Sequence, residues 1–369
     1  MSKQKSRTLE KKYFSKYKEP LVPLPNLLET QIESYKWLIK DGIKETLKEF
    51  SPLRDYSEKK FELSFESFTM GEPKHTPLYA KENKLSYEAS LKVRVKLLNK
   101  MNSSTKEQEV FFSDFPLMTK QGTFIINGVE RVIVPQLTRS SGVFFTELEV
   151  KGRKKFGAKI IPNRGVWIEF ETDKDNLIFA RIDKKRKFAV STLLKVMGLD
   201  TDDKIRKAFK GNEVHEKFIN AILDKDQAKT PEEAYVDIYK RLRDGDMATA
   251  DNAREFINAI FTAERYDFSA VGRYRFNSRF EKKMDKEALS RITIDADDVV
   301  TIVKNIFDLN TTPGSKADDI DHLGRRRVKY VGELLQQKFR VGMTQIKRNI
   351  QDRMSTTDSD TATPVTIIN

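Results

Sequence analysis

The sequence of 369 residues lacks cysteine and has only three histidines, His75, His215 and His322. Without cysteine the chain has neither disulfides nor thiolate ligands for a metal, and the redox state of its compartment is left open. Three histidines so far apart do not predict a zinc site. We therefore expect no metal ion and no other cofactor to be bound by this chain.

The sequence also lacks the short motifs of common enzyme classes. Its closest approach to a phosphate-binding P-loop is Gly152 to Lys159, where Ala158 stands in the place of the lysine. Asp295, Asp297 and Asp298 are clustered, but they fall at a predicted helix start, where acidic side chains favour the helix dipole. We interpret them as capping residues and expect no catalytic residue in this chain.

Long apolar runs are missing as well. No run approaches the ~20 residues that span a membrane, and the Lys/Arg-rich first 18 residues contain no apolar core of a signal peptide. We therefore expect a cytoplasmic protein without membrane contact. The net charge of +13 favours a polyanionic partner such as nucleic acid. A basic protein with no such partner is the alternative.

The hydrophobic pattern changes along the chain from strands to helices. After a basic arm at residues 1–19, apolar residues alternate at 61–65 and 89–97, as in half-buried strands. Asn127-Gly128 predicts a two-residue hairpin turn, and strands continue to about residue 191. Helical patterns follow from about 192 to 309, one of them beginning at Thr230-Pro231-Glu232-Glu233. The sequence therefore predicts an α+β protein.

The chain closes with a long helical pattern. Apolar residues from Val328 to Ile350 recur at spacings of three and four. Gly332 and Gly342 interrupt this pattern, so we predict two helices or a bend. From Met354 onward the composition predicts a frayed tail.

Several motifs resemble the N-terminal third of the β subunit of bacterial DNA-directed RNA polymerase, in the same order over nearly the whole chain. They are Phe115 to Thr119 with Gly122 to Val134 and Gln136 to Phe145, Arg164 to Phe170, Arg181 to Lys187, Arg265 to Arg273, and Asp318-Asp319-Ile320-Asp321-His322-Leu323-Gly324-Arg325-Arg326-Arg327, which continues into Val331 to Glu333 and Phe339 to Gly342. The resemblance implies a fragment of that subunit that ends before its fork and catalytic regions.

The resemblance also implies the domain organisation. A sheet-rich protrusion domain with closing helices would comprise residues 20–140 and 322–369, and a lobe of mixed strands and helices would be inserted at 141–321. The fragment would belong to a nucleotidyltransferase whose catalytic aspartates and Mg²⁺ are on the β′ subunit. Its implied partners are DNA, the rest of β, β′, α and the σ factor.

In this family the lobe and protrusion hold bases of the non-template DNA strand. The residues that match this pocket are Arg139, Trp167, Asp183, Lys184, Ile320, Asp321 and Arg326. Trp167 would stack on one base, and Asp321 would accept hydrogen bonds from the Watson–Crick edge of a flipped guanine, helped by Arg139 and Arg326. Lys184 replaces a usual arginine, Ser141 a usual proline and Arg325 a usual asparagine.

Pattern alone favours plainer interpretations of two of these features. A tryptophan in a strand region is more often a core residue than a stacking platform. The basic run Lys184 to Lys187 is typical of a solvated loop. These alternatives stay open at the level of the sequence.

Two further surfaces follow from the resemblance. Arg131, Val134 and Gln136 match the edge of the rifamycin pocket, whose main part follows the end of this chain, so we do not expect drug binding here. Thr105-Lys106-Glu107 matches the protrusion edge that docks transcription-repair coupling factor and similar regulators. An ordinary polar loop is the alternative at that place.

The expected role is one wall of the DNA cleft in transcription, in contact with downstream DNA and the non-template strand, within a nucleoid-associated enzyme. The alternative is a free-standing basic module that binds DNA or proteins, made from a split or truncated gene. The last residues, Val365 to Asn369, stop in mid-pattern, which favours the fragment.

Overall fold

The computed structural model describes residues 12, 14, 16, 22, 25–243, 245, 247–358 and 361–368. The predicted basic arm therefore lies outside the described residues except for residues 12, 14 and 16. The chain forms two compact units. Unit 1 comprises the described residues up to Gln136 and from Lys329 onward, and unit 2 comprises Leu137–Val328. The names protrusion and lobe, with boundaries at 140 and 322, stay predictions.

The described chain contains a run of strands followed by a run of helices, and the predicted α+β class is confirmed. The helices are α1 Glu29–Trp37, α2 Ile43–Glu49, α3 Pro77–Glu82, α4 Val190–Val196, α5 Asp202–Ala208, α6 Glu213–Lys225, α7 Pro231–Leu242, α8 Ala250–Ile260, α9 Ser269–Arg279, α10 Lys286–Ser290, α11 Ala296–Thr311, α12 Val331–Thr356 and α13 Pro364–Ile368. A π-helical segment, Leu38–Gly42, joins α1 to α2, and Leu323–Arg325 forms a 3₁₀ turn. The strands are β1 Leu53–Arg54, β2 Phe61–Pro73, β3 Glu88–Asn99, β4 Ser104–Pro116, β5 Phe124–Ile126, β6 Val129–Arg131, β7 Gln136–Arg139, β8 Gly142–Val150, β9 Arg153–Ile161, β10 Ile168–Thr172, β11 Ile178–Ile182, β12 Phe188–Ala189 and β13 Arg326–Lys329.

Unit 1 is built around a four-stranded antiparallel sheet in the order β1-β2-β3-β4. Its strands bury alternate side chains, for example Phe61, Leu63 and Phe65, as the period of two predicts. The core under this sheet also takes in residues of α1 and α12, among them Tyr35 and Met343.

Among the helices that the structure describes, none combines the length and the apolar composition of a membrane span.

The closing segment is one helix, and the predicted alternative of two helices is wrong. α12 is one helix of 26 residues that runs through both Gly332 and Gly342. Gly332 is needed for packing, because a Cβ at that position would collide with the backbone oxygen of Ser34 in α1. The predicted frayed tail is also wrong: Met354 and Ile367 are fully buried in the core of unit 1.

The hairpin predicted at Asn127-Gly128 is confirmed. β5 and β6 pair antiparallel on either side of it, and the turn residues have φ angles of 51° and 79°. Positive φ at both positions is what a type I′ turn requires.

Unit 2 contains a five-stranded antiparallel sheet in the order β12-β11-β10-β9-β8. Helices α4 to α9 and α11 pack with it in one core. Two predicted helix starts are confirmed by reciprocal capping boxes, Thr230 with Glu233 at α7 and Asp295 with Asp298 at α11. The acidic cluster at α11 is therefore a cap, as its sequence predicts.

Candidate nucleic-acid interface

A tight turn in unit 2 places Trp167 beside a basic loop. β10 and β11 pair with Ile168 opposite Ile182, so the residues that flank these strands meet at one end of the ladder. Asp183 donates its backbone N–H to the carbonyl oxygen of Trp167 at 2.9 Å. Asp183 and Lys184 have φ angles of 50° and 59°, which turns the chain back over the tryptophan.

Trp167 carries a cation on its face instead of being enclosed in the core. Its side chain is half-buried, and the Nζ of Lys184 lies 5.8 Å from the centre of its ring. Residues 183–187 are all exposed. The ring, one carboxylate and several cations are thus brought together near the surface of unit 2.

A second group of predicted residues lies where β7 and β13 pair. Ser140, next to Arg139, donates its backbone N–H to the carbonyl oxygen of Arg325 at 3.0 Å. The loop before β13 is held by its own bonds, since the N–H of Asp321 donates to the Oδ1 of Asp319 at 3.0 Å. Backbone hydrogen bonds therefore hold the end of β7 against the segment that leads into β13. These two stretches carry Arg139, Ile320, Asp321 and Arg326.

The charged groups of this segment are largely uncompensated. The side chains of Arg139 and Asp321 are exposed and form no hydrogen bond or ion pair with the residues that the structure describes. Nε of Arg326 is buried and has no acceptor among the described residues. A buried donor without an acceptor costs about 1–3 kcal/mol, so an anion or base that accepts from Arg326 would relieve this cost.

One contact connects the two groups within unit 2. Arg327 Nη2 donates to Asn163 Oδ1 at 2.6 Å, and the N–H of Asn163 donates to the carbonyl oxygen of Asp267 at 2.8 Å. Asn163 belongs to the turn that leads to Trp167. The sequence carries no signal for these positioning residues, because nothing in the chain links Asn163 to Arg327 before it folds.

The residues predicted for the rifamycin-pocket edge lie in unit 1. Arg131 ends β6, Val134 is 67% exposed in the segment that follows, and Gln136 begins β7. This segment is anchored where Gln31 Nε2 donates to the carbonyl oxygen of Ile133 at 3.1 Å. The three predicted side chains are exposed.

The residues predicted to dock regulators lie in β4, the outermost strand of the unit 1 sheet. Thr105, Lys106 and Glu107 are exposed. Lys106 Nζ donates to the carbonyl oxygen of Ala362 at 2.8 Å, and Lys96 Nζ lies 3.8 Å from Glu107 Oε1. They form part of a regular strand and not the polar loop that the alternative interpretation proposes.

In the part of the chain that the structure describes, no group of three or more His, Asp or Glu side chains could hold a metal ion. The interface consists of guanidinium, ammonium, carboxylate and aromatic groups. Such groups bind phosphates and bases.

Comparison with known proteins agrees with the sequence motifs. The model of the family described as RNA polymerase Rpb2, domain 2, matches residues 139–329, more than half of the chain. The DNA-directed RNA polymerase subunit beta of Syntrophomonas wolfei subsp. wolfei is 42% identical over 358 residues. That match covers 96% of this chain and 31% of the relative, so the chain spans about a third of the length of this curated relative. The chain belongs to the RNA polymerase Rpb2 domain 2 family, and its predicted resemblance to bacterial polymerase β subunits is confirmed.

Proposed function

We propose that this chain works in DNA-templated transcription as part of a DNA-directed RNA polymerase β subunit. It would form one wall of the DNA cleft and contact downstream DNA and the non-template strand. The activity of the whole enzyme, a nucleotidyltransferase, and its Mg²⁺ would reside outside this chain, on β′. The partners in this proposal are DNA, the rest of β, β′, α and the σ factor, in the cytoplasm at the nucleoid.

The unpaired charges around Asp321 carry this proposal. A carboxylate accepts from both the N1–H and the N2–H₂ of guanine, and no other base presents that pair of donors on its Watson–Crick edge. Arg139 and Arg326 would bind the neighbouring phosphate or base oxygens as charge-assisted donors. A carboxylate that already had an ion-pair partner would make a poorer acceptor for a base.

Trp167 and Lys184 support the same function from the other group. A half-buried indole beside a basic loop suits stacking of an unpaired base, which contributes about 1–3 kcal/mol. Lys184 would neutralise a phosphate next to that base, with a point charge in place of the bidentate contact of an arginine.

The regulator surface is a second part of the proposal. β4 is an outermost strand with an exposed run at Thr105 to Glu107, so a partner strand could pair along it. We propose that transcription-repair coupling factor or a similar regulator docks there. Arg131, Val134 and Gln136 would border the rifamycin pocket of the complete subunit without binding the drug in this chain alone.

The two tryptophans allow a direct test of the DNA pocket. Trp37→Phe leaves Trp167 as the only indole, because the chain has only two. We expect a single-stranded oligonucleotide to quench this indole, and a guanine-containing strand to bind about 5- to 150-fold more tightly than the same strand with inosine, which lacks the N2 amino group.

Asp321→Asn should weaken that preference, because its amide keeps one acceptor oxygen and turns the other acceptor into a donor. Asp224→Asn is the matched control, since Asp224 is an exposed carboxylate on α6 in the same unit. Equal affinities for the guanine and inosine strands in the unmodified chain would refute the proposed guanine contact. Unchanged non-template crosslinking in a polymerase that carries Trp167→Ala would refute the stacking role.

A further inference from the structure

A basic cavity lies in unit 2 and is lined by none of the residues predicted to hold the non-template strand. It has a volume of about 500 Å³, within the range of ~300–1,000 Å³ in which small-molecule sites fall. One face of α9 forms a wall with Tyr274, Arg275 and Arg279. The start of β8 forms another wall, and Asp318, Gly324 and Arg325 complete the lining.

The charges of this cavity do not balance. Its lining contains three arginines, Arg275, Arg279 and Arg325, and one acidic residue, Asp318. Asp318 is already satisfied: Arg279 lies 2.6 Å from its Oδ2, Arg325 lies 3.3 Å from its Oδ1, and the N–H of Phe145 donates to it at 2.8 Å. The carboxylate of Asp318 thus offsets one guanidinium group, and a formal charge of +2 remains on the lining.

Arg275 is the least satisfied of the three arginines. Its Nη2 donates to the carbonyl oxygen of Gly324 at 2.8 Å, which fixes the guanidinium against the loop. Its Nη1 is buried and has no acceptor among the described residues. Arg279 is held differently, because its Cζ lies 4.4 Å from the ring centre of Phe145. The cavity is therefore braced on both sides, with an incompletely satisfied donor in its wall.

We propose that this cavity binds a nucleoside monophosphate group. A phosphomonoester carries a charge of about −1.5 to −2 near pH 7, which matches the uncompensated positive charge of the lining. A single carboxylate of an acidic peptide would neutralise only half of that positive charge. Guanidinium groups bind phosphate in a fork of two parallel hydrogen bonds. Tyr274, which is 54% exposed at the same wall, offers a ring on which a base can stack.

This inference does not rest on the proposed function in transcription. The group could come from a free mononucleotide or from the 5′-phosphorylated end of a nucleic acid strand, since both present the same chemistry. The test uses the 369-residue chain with four probes: adenosine 5′-monophosphate, adenosine, inorganic phosphate, and one oligonucleotide with and without a 5′-phosphate. Binding is measured by calorimetry at low ionic strength.

Adenosine 5′-monophosphate should bind, and adenosine should not. Arg275→Gln should weaken binding of the monophosphate at least about 10-fold. The matched control is Arg254→Gln, because Arg254 lies in the same unit and pairs with Glu232 on the surface, away from the cavity. Arg275→Lys should keep part of the affinity. If Arg275→Gln does not fold, judged by its thermal transition, Arg325→Gln takes its place with the same expected loss.

Tyr274→Ala should weaken the binding of adenosine 5′-monophosphate and leave the affinity for inorganic phosphate unchanged. A 5′-phosphate that strengthens oligonucleotide binding assigns the site to strand ends, and its failure to do so assigns it to free nucleotides. No binding of either phosphate probe, or equal affinities in the Arg275 and Arg254 variants, would overturn the proposal. An Asp321→Asn variant should bind the monophosphate normally, so failure of this site and failure of the proposed guanine pocket are distinguishable.

Discussion

The buried ion pair between Arg273 and Asp298 makes a sharp prediction about the stability of unit 2. Arg273 is fully buried, and its Nη1 lies 2.9 Å from both carboxylate oxygens of Asp298, whose side chain is 2% exposed. The remaining donors are used as well, since Nε donates to the carbonyl oxygen of Arg291 at 3.0 Å and Nη2 to that of Thr293 at 2.6 Å. Burial raises the pKa of Asp298, although Arg273 opposes this shift.

Removing Arg273 would break the buried pair and leave the carboxylate of Asp298 with only two partly exposed cations, Arg291 at 2.9 Å and Lys282 at 3.6 Å. Such losses cost about 3–5 kcal/mol, against a total stability of about 5–15 kcal/mol for a domain. We therefore expect Arg273→Leu to lower the free energy of unfolding of unit 2 by about 3–5 kcal/mol. The double variant Arg273→Leu with Asp298→Leu should lose less than the sum of the two single changes, because neither charge is then left alone.

The tryptophans again supply the assay, because Trp167 lies in unit 2 and Trp37 in unit 1. In a Trp37→Phe background, denaturant unfolding followed by indole fluorescence reports on unit 2 alone. Arg254→Leu is the control, since its ion pair with Glu232 is half-exposed and should contribute about 0–1 kcal/mol. A loss for Arg273→Leu within about 1 kcal/mol of this control would refute the assignment of the pair as a core element.

Three further predictions concern unit 1. Burial by itself would raise the pKa of Asp55, but hydrogen bonds from the Ser57 hydroxyl and from the N–H groups of residues 61, 60 and 57 outweigh it and lower the pKa from 3.8 to about 2. The carboxylate of Asp55 therefore makes its full contribution to the free energy of unfolding above pH ~4, and about 2 kcal/mol of it should be lost as the pH falls towards 2. Asp55→Asn should make the stability of unit 1 less dependent on pH in acid titrations that are followed by Trp37 fluorescence. Gly332→Ala should lower the melting temperature despite the better helix propensity of alanine, because its Cβ would collide with the backbone of Ser34. Gly342→Ala, which has nothing within 4 Å of the new Cβ, should raise the melting temperature through a gain of up to about 1 kcal/mol.

Local chemistry is what the sequence predicts well. The hairpin at Asn127-Gly128 and the capping boxes at Thr230 and Asp295 depend on residues within a few positions of one another. The backbone conformation or hydrogen bond that these residues favour is the same in a short peptide and in the folded chain. The α+β class follows in the same way from the spacing of apolar residues.

Long-range packing overrides such local signals, as at Gly332. Its sequence context predicts a helix break, because glycine is a poor helix former. The structure uses the missing side chain instead to let α1 approach α12, where the N–H of Gly332 donates to the Oγ of Ser34 at 3.0 Å. These two residues are 298 positions apart, so no window of the sequence contains the cause.

The same distinction decides which basic residues serve a site. The net charge of +13 predicts a polyanion somewhere on the surface, but it does not say which cations are available to it. Arg273 and Arg326 both lie in motifs that resemble the polymerase family, and both fall within the matched segment 139–329. Their contacts separate them: Arg273 is saturated inside the core, whereas Arg326 keeps a buried donor without an acceptor among the described residues. Substitution of Arg273 should therefore cost stability, and substitution of Arg326 should cost affinity for DNA with little loss of stability. A large stability loss at Arg326 would show that an incompletely paired guanidinium does not by itself identify a binding residue in this fold.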